Sequence, residues 1–283
     1  MRLSVIQVPY DSGQFNMRMG CGPLHLTNEG LVNWFKSEGH IVQFNEVRLP
    51  NQFMPEVAAS IYIEEQVKHI VEENIRDGAL PLVLAGNCNY AAFGITAAIH
   101  KNNTGIFWFD AHGDFNTPET SISGFFDGMA LSILTGNSWP GLRKSMKGFN
   151  PIPEEQVILI GVHDLDAEEE MLLKNSKIKR MDTQGIRNKL AETINPIFQH
   201  LLKNVESIYI HIDLDVLDKS EFKANQFAAP GGLRLNELIT IISEIKRTFK
   251  IAAAALTAFD PAYDHELRAN DIVRTIITHL TKT

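Results

Sequence analysis

The stretch Gly105-Ile106-Phe107-Trp108-Phe109-Asp110-Ala111-His112-Gly113-Asp114 joins a run of apolar residues to a polar group. Residues 105–109 are typical of a β-strand buried on both faces, and such strands belong to parallel sheets covered by helices. Beyond the strand, Asp110, His112 and Asp114 alternate. Alternate residues of an extended backbone share one face, so we expect these side chains to converge. A strand-end turn explains one Asp, but two Asp flanking a His favour metal binding.

Short apolar runs alternate with helical periods along the whole chain. We predict strands at residues 2–8, 40–46, 81–86, 105–110, 156–162, 178–182, 206–213 and 250–257. We predict helices at residues 56–77, 89–100, 126–137, 167–175, 186–203, 235–247 and 266–281. This order predicts a three-layer α/β/α domain with a mostly parallel sheet. No Pro- or Gly-rich linker divides the chain, so residues 1–283 are expected to form a single domain.

The bulk composition excludes several classes of protein. Of the 283 residues, 44% are hydrophobic and 21% are charged, which is ordinary for a globular protein. The net charge of -8, with no basic stripe, argues against nucleic-acid binding. Residues 1–6 lack a secretory pattern and no apolar run is long enough for a membrane span. The two cysteines do not make a disulfide framework. We therefore expect a cytoplasmic enzyme with no nucleic-acid or membrane partner.

A second polar segment, His211-Ile212-Asp213-Leu214-Asp215, also follows an apolar strand. Alternating carboxylates on a buried strand are costly unless their oxygens meet cations or strong donors. Two such segments in one chain therefore suggest one shared site. Its oxygen-rich donor set suits two Mn²⁺-like ions better than a single Zn²⁺. His211 is either a further ligand or a histidine of the core or second coordination shell, and the sequence favours the latter.

A third strand ends in Gly86-Asn87-Cys88-Asn89, where a turn of small residues precedes a helix that we expect to begin near Asn89. A free cysteine is usually a small buried hydrophobe. Cys88 fits that description, but it also fits a thiolate ligand. In open parallel sheets, sites form beyond the carboxyl ends of the strands. The position of Cys88 at a strand end therefore favours the ligand. Gly, Pro and polar residues cluster in three long loops, which are often functional: residues 9–24, 113–124 and 218–233.

Together, these segments resemble the arginase and agmatinase family of ureohydrolases over most of the chain and in the same order. The first polar segment resembles the family's D-A-H-x-D motif, and the second resembles its D-x-D-x-x-D motif. The matching segments are Gly20-Cys21-Gly22-Pro23, Asp110-Ala111-His112-Gly113-Asp114, Phe115-Asn116-Thr117-Pro118, residues 120–124, residues 160–166 and residues 213–218. The resemblance implies the arginase-like fold and a metal-dependent hydrolase of guanidino compounds.

The resemblance also implies a role for each ligand. Asp110 and Asp213 would bridge two Mn²⁺ ions; Cys88 and Asp114 would complete one site, and His112 and Asp215 the other. Two such ions lower the pKa of a shared water and orient the resulting hydroxide for attack on a guanidinium carbon. The products would be a urea-type compound and an amine.

Four positions depart from the family's pattern. Cys88 stands where the family usually has His, and Asp127 stands where arginases have a His that shuttles protons. Ala258 replaces the Glu that binds the guanidinium, and Lys219 replaces a Pro after the second motif. Because a carboxylate is a bidentate partner for guanidinium, its loss argues against unmodified L-arginine as the substrate.

The amino-acid end of the substrate is better matched. By resemblance, Asn116 and Ser123 would hold an α-carboxylate, and Asp166 and Glu169 would meet an α-ammonium group. Acidic residues are also common in the first turn of a helix, and a helix is predicted from residue 167. For the two acidic residues, both interpretations stay open.

Two alternatives to an active ureohydrolase remain. One is a metal-binding regulatory homologue without catalytic activity, which the loss of the carboxylate at Ala258 favours and the retained ligands oppose. The other is a Zn²⁺ deacetylase-type enzyme, which the second aspartate pair opposes. The expected partner is a small guanidino molecule. Arginase relatives often form trimers or hexamers, so the resemblance leaves homo-oligomerisation open.

Overall fold

The computed structural model describes residues 1–51, 54–99 and 103–281, and these residues form a central sheet between two layers of helices. The strands are β1 (Arg2–Val8), β2 (Tyr10–Asp11), β3 (Gln14–Phe15), β4 (Ile41–Glu46), β5 (Leu80–Ala85), β6 (Thr104–Phe109), β7 (Val157–Ile160), β8 (Lys179–Met181), β9 (Ser207–Asp213) and β10 (Ile251–Thr257). The helices are α1 (Cys21–Asn28), α2 (Leu31–Ser37), α3 (Glu56–Arg76), α4 (Ala92–Ile99), α5 (Ala130–Leu134), α6 (Pro140–Ser145), α7 (Ala167–Asn175), α8 (Thr183–Leu202), α9 (Leu235–Thr248) and α10 (Ala269–Thr281).

The main sheet has the order β4-β1-β5-β10-β9-β6-β7-β8, and within the described residues all neighbouring strands run parallel. Each face has its own apolar core. One core joins the sheet to α1, α2, α8, α9 and α10, and the other joins it to α3, α4 and α5. Burial on both faces explains the nearly continuous apolar runs of β5 and β6. The predicted three-layer α/β/α fold is confirmed.

The predicted strands lie within two residues of the observed ends. The prediction missed α1, α2, α6 and the small β2–β3 hairpin. These elements are short, so they offer few periods of apolar patterning, and their stability comes from packing on the sheet. The helix expected from Asn89 instead begins at Ala92, after a single 3-10 turn. Residue 100, the predicted end of that helix, lies outside the described residues.

The sheet brings several chain segments together at one edge. The strands β5, β10, β9 and β6 are consecutive in the centre of the sheet, and they are parallel. Their carboxyl ends therefore lie side by side, and the residues that follow them face one crevice. Cys88, Ala258, Asp213 and Asp110 all lie at or just beyond these four ends. In the described part of the chain, no helix is long and apolar enough to span a bilayer.

Candidate metal centre

Two groups of donor atoms meet at the carboxyl ends of the central strands. Cys88, Asp110 and Asp114 form one group, and Asp110, His112 and Asp215 form the other. Within each group, one donor atom per residue lies within 4.8 Å of the others. Because Asp110 belongs to both groups, the geometry offers two neighbouring cation positions that share a carboxylate. These two groups contain five of the six residues predicted as ligands, and the sixth, Asp213, lies beside Cys88.

The predicted reason for this convergence is wrong. The strand β6 ends at Phe109, and the backbone then bends rather than continuing extended. Asp114 has a φ of 48°, in the left-handed region that non-glycine residues seldom adopt. Asp215 likewise lies in a 3-10 turn after β9. A Cβ atom at Gly113 would lie 2.7 Å from the Cδ of Glu169, so any larger residue there would displace this carboxyl group. The tight turns after the strands, rather than the alternation of an extended strand, determine the direction of these side chains.

Hydrogen bonds hold Asp110 between the two groups. The indole Nε1–H of Trp108 donates to Oδ2 of Asp110 over 3.0 Å. The backbone N–H of His112 donates to Oδ1 of the same carboxylate over 2.8 Å. Both oxygens of Asp110 are therefore oriented before any cation binds. Residues that hydrogen-bond to a metal ligand commonly orient it in this way.

Asp215 is held by Asn225, a residue that the sequence analysis did not single out. The Nδ2 group of Asn225 donates to Oδ2 of Asp215 over 3.2 Å and to the carbonyl oxygen of Ala258 over 2.7 Å. Asn225 is fully buried. It lies in the long loop at residues 218–233, which was the only signal for it in the sequence.

Cys88 is buried against Asp213. Its Sγ lies 3.1 Å from Oδ2 of Asp213 and 3.2 Å from Oγ1 of Thr257. Within the described chain, Asp213 belongs to neither ligand group, so its bridging role stays a prediction. Burial raises the pKa of the Cys88 thiol well above its usual range, and the charge of Asp213 adds to the effect.

His211 is a residue of the core. Its ring stacks on Trp108 with centroids 3.7 Å apart, and Tyr209 Oη lies 2.6 Å from its Nδ1. Its Nε2 lies 3.3 Å from Oγ1 of Thr257. Burial lowers the pKa of His211 to about 3, so the ring is neutral. These contacts agree with the core interpretation and not with a role as a ligand.

The electrostatics of the centre favour a bound cation. Burial raises the pKa of Asp114 and Asp213 well above the usual range, and nearby carboxylates such as Asp110 add to the effect. Burial opposes protonation of His112, but the charges of Asp215 and Asp110 outweigh it and raise its pKa to about 10. The buried Oδ2 of Asp114 has no hydrogen-bond partner among the described residues. Divalent cations relieve this repulsion, and the oxygen-rich donors fit Mn²⁺.

A cavity of about 330 Å³ opens onto the centre. All the residues outside the two ligand groups that were predicted to bind substrate or to transfer a proton line this cavity. These are Asn116, Ser123, Asp127, Asp166 and Glu169, together with the departure at Ala258. Asp164 also lines the cavity, and its Oδ2 lies 3.9 Å from Nε2 of His112. The sequence analysis missed Asp164, which follows β7 by four residues.

The residues predicted to bind an amino-acid head group also make hydrogen bonds within the protein. Oδ1 of Asp166 accepts the backbone N–H of Glu169 over 2.8 Å and so caps α7. Its Oδ2 accepts from Nδ2 of Asn116 over 3.1 Å. Oε1 of Glu169 accepts the backbone N–H of Phe115, and burial raises the pKa of Glu169 to about 7. Asp166 is thus the N-cap of α7 and Glu169 lies in its first turn, and both side chains also line the cavity.

Asp127 and Ala258 lie in the same cavity. Oδ1 of Asp127 accepts the backbone N–H of Asn89 over 2.8 Å, and burial raises the pKa of Asp127 to about 7. Ala258 has a φ of 60° at the end of β10. Its side chain presents only a methyl group to the cavity, where the resemblance leads one to expect a carboxylate.

Comparison with known proteins agrees with this geometry. The sequence model of the arginase family matches residues 1–281. The arginase of Staphylococcus aureus (strain MRSA252) is 29% identical over 280 residues, which cover 93% of this chain and 91% of that protein. The arginase of Bacillus caldovelox is 29% identical over 280 residues, which cover 93% and 92%. The crystal structure of Bacillus subtilis arginase superposes with a TM-score of 0.87 and 26% identity, covering 100% of this chain and 99% of that one.

The crystal structure of Bacillus cereus arginase superposes with a TM-score of 0.89 and 26% identity, covering 100% of this chain and 98% of that one. The match to the family spans nearly the whole chain and includes both acidic motifs. The predicted enzyme class, a hydrolase of C–N bonds in linear amidines, is confirmed at the level of the family. The chain belongs to the arginase family.

Proposed function

We propose that this protein is a Mn²⁺-dependent hydrolase of a guanidino compound, either arginine or a modified arginine. It would release a urea-type product and an amine, and residues 1–283 would act as one domain. The observation that carries the proposal is the sharing of Asp110 between two groups of ligands within 4.8 Å. A carboxylate shared by two ligand groups can serve two adjacent metal ions at once.

In this proposal, Cys88 and Asp114 would help to hold one ion, His112 and Asp215 would help to hold the other, and Asp110 and Asp213 would serve both. When bound, such ions would supply a water activated at neutral pH for attack on the trigonal carbon. The protein contributes the geometry. Trp108 and the backbone of His112 fix both oxygens of Asp110.

The remaining residues act on the substrate. Asn116 and Ser123 would position an α-carboxylate, and Asp166 and Glu169 an α-ammonium group; all four line the cavity. Asp127 lies in the same cavity with one oxygen tied to the backbone of Asn89. Its carboxyl group faces the cavity, where it would pass a proton to the leaving amine.

The methyl group of Ala258, in place of a carboxylate, affects which guanidine is the preferred substrate. A charge-assisted hydrogen bond is worth roughly 1.5–3 kcal/mol, so its absence costs about one to two decades in specificity. An ordinary guanidinium therefore binds with fewer such bonds. A less basic guanidine, with a hydroxyl or an oxygen substituent on nitrogen, depends less on an anion. We propose that such a compound is a better substrate than L-arginine.

The test combines metal analysis with a panel of substrates. After reconstitution with Mn²⁺, elemental analysis should approach two ions per chain, and Asp110→Ala should abolish both activity and full occupancy. Arginine, agmatine, N-hydroxyarginine and canavanine are then compared at saturating Mn²⁺. Zn²⁺ that Mn²⁺ cannot replace would refute the dinuclear Mn²⁺ site. Agmatine as the best substrate would refute the amino-acid head group.

The methyl group at Ala258 also favours one alternative, a metal-binding regulatory homologue without activity. Such a protein would bind two Mn²⁺ ions but hydrolyse none of the four compounds. The same experiment therefore separates the two functions.

A further inference from the structure

A threonine of the loop at residues 113–124 holds the side-chain amide of Asn116. The Oγ1 atom of Thr120 donates to Oδ1 of Asn116 over 2.9 Å. The same Oγ1 atom accepts the backbone N–H of Thr117 over 2.9 Å. The carbonyl oxygen of Thr117, at 3.5 Å, is a more distant acceptor for the hydroxyl proton. The half-buried hydroxyl of Thr120 therefore serves the oxygen side of the Asn116 amide.

The nitrogen side of the same amide is held by Asp166. The Nδ2 group of Asn116 donates to Oδ2 of Asp166 over 3.1 Å. Asp166 is itself fixed, because its Oδ1 accepts the backbone N–H of Glu169 over 2.8 Å. In an amide, the nitrogen only donates and the oxygen only accepts. With its oxygen on Thr120 and its nitrogen on Asp166, Asn116 keeps one orientation, in which the second N–H of Nδ2 can serve the cavity that Asn116 lines.

The orientation of this amide matters because the cavity around it is acidic. The carboxyl groups of Asp164, Asp166 and Glu169 line the same cavity. An ionised carboxyl group repels the carboxylate of a substrate, so the substrate needs a correctly placed donor. A reversed amide of Asn116 would present an oxygen to that carboxylate instead. Removal of the Thr120 hydroxyl would leave Oδ1 of Asn116 without its donor, and the present orientation would then be less favoured.

We propose that Thr120 is a positioning residue for the substrate. It holds the amide of Asn116 so that Nδ2 donates to the α-carboxylate, while Asp166 receives the neighbouring α-ammonium group. This inference rests on the proposed function and deepens it, because it assigns the residue that orients the group binding the carboxylate. The effect of Thr120 is therefore confined to ligands that carry an α-carboxylate. A threonine that only stabilised its own turn would affect all ligands alike.

The experiment measures the binding of two amines to the Mn²⁺-loaded protein by titration calorimetry. L-Ornithine and 1,4-diaminobutane differ only in the α-carboxylate, and neither has to be hydrolysed. Thr120→Val keeps the shape of the side chain and removes the hydroxyl. We expect it to raise the dissociation constant of L-ornithine about tenfold, equivalent to ~1.4 kcal/mol, and that of 1,4-diaminobutane less than about twofold. Thr120→Ser keeps the hydroxyl and should restore the binding of L-ornithine. Thr117→Val is the matched control from the same loop, because the hydroxyl of Thr117 accepts the backbone N–H of Glu119.

A double-mutant cycle shows whether Thr120 acts through Asn116. In an Asn116→Ala background, Thr120→Val should cause no further loss of L-ornithine binding. Circular dichroism would confirm that each variant folds. An equal loss for both amines, an unchanged constant for L-ornithine, or a further loss in the Asn116→Ala background would overturn the inference. A wild-type protein that binds L-ornithine no more tightly than 1,4-diaminobutane would overturn it as well.

Hydrolysis of the four guanidino compounds is recorded separately, so that failure of this inference and failure of the proposed function can be told apart. Hydrolysis together with L-ornithine binding that Thr120→Val leaves unchanged would overturn the inference and leave the proposed function standing. A loss specific to L-ornithine in Thr120→Val, without any hydrolysis by the wild type, would support the inference and overturn the proposed function.

Discussion

The thiol of Cys88 lies 3.1 Å from Oδ2 of Asp213, although 125 positions separate the two residues in the chain. The two residues lie at the ends of β5 and β9, which are both neighbours of β10. This contact places a soft sulfur donor in a centre that is otherwise built from carboxylates and one imidazole. Because ligands must be deprotonated, a metal ion at this position has to displace the proton of a buried thiol.

We predict that Cys88→His strengthens Mn²⁺ binding and that Cys88→Ser weakens it. A neutral imidazole needs no deprotonation and suits Mn²⁺ better than a thiolate does, whereas a hydroxyl is a poor ligand. We expect changes of about tenfold in the Mn²⁺ dissociation constant in opposite directions. Titration calorimetry measures both constants. The Cys21→Ser variant is the control, because Cys21 belongs to neither ligand group. Equal affinities in all variants would make Cys88 a packing residue.

We predict that Asn225→Ala lowers Mn²⁺ affinity or kcat/KM by about 10–100-fold, because removal of an outer partner of a ligand has that effect in metal sites. Asn225 holds both Asp215 and the carbonyl oxygen of Ala258. The exposed neighbour Gln226 provides the control variant Gln226→Ala. Circular dichroism would confirm that both variants fold. If Asn225→Ala behaves like its neighbour, Asp215 does not depend on this hydrogen bond.

We predict that Ala258→Glu improves the use of L-arginine. A carboxylate at this position restores a charge-assisted partner for guanidinium, worth about one to two decades in kcat/KM. Ala258 already has a φ of 60°, so the strained backbone is present in the wild type. Ala258→Gln has the same shape without the charge, and we expect it to gain less. The measurement is the steady-state kcat/KM for arginine in the wild type and in both variants. A glutamine variant equal to the glutamate variant would mean that charge is not what the cavity lacks.

We predict that Glu64→Gln changes how stability depends on pH. Glu64 accepts the backbone N–H of Gly94 over 2.6 Å at the start of α4, and burial raises its pKa well above the ordinary value of 4.5. The folded state thus keeps a proton on Glu64 that the unfolded chain loses, so the contribution of Glu64 to wild-type stability falls as pH rises above about 4.5. Glutamine does not titrate.

The melting temperature of Glu64→Gln relative to wild type should therefore rise between pH 4.5 and neutrality. The gain is limited to ~1.4 kcal/mol per pH unit, which is a few degrees for a protein of this size. Calorimetry at a series of pH values, with Mn²⁺ present throughout, provides the measurement. A relative melting temperature that falls over this range would show that the N–H groups of α4 stabilise the ionised form more than burial destabilises it.

The local pattern was sufficient to locate the strands and to place most of the candidate metal ligands together. Strands such as β6 are buried on both faces, so their composition is nearly free of polar residues and easy to recognise. Since parallel strands end at one edge of a sheet, the polar residues after β5, β6 and β9 had to meet. The sequence alone therefore determined the layered fold and the convergence of Cys88, Asp110 and Asp215.

Only the tertiary structure decided which groups support that centre and what else shares its cavity. Asn225, Asp164 and Thr120 lie in loops, where the backbone follows packing and not a periodic pattern. The left-handed conformations of Asp114 and Ala258 are likewise imposed by the surrounding chain. The strand alternation inferred for Asp110 and Asp114 failed for this reason. Strand ends can be located from local composition, whereas the direction of a side chain in a turn depends on contacts distant in the sequence.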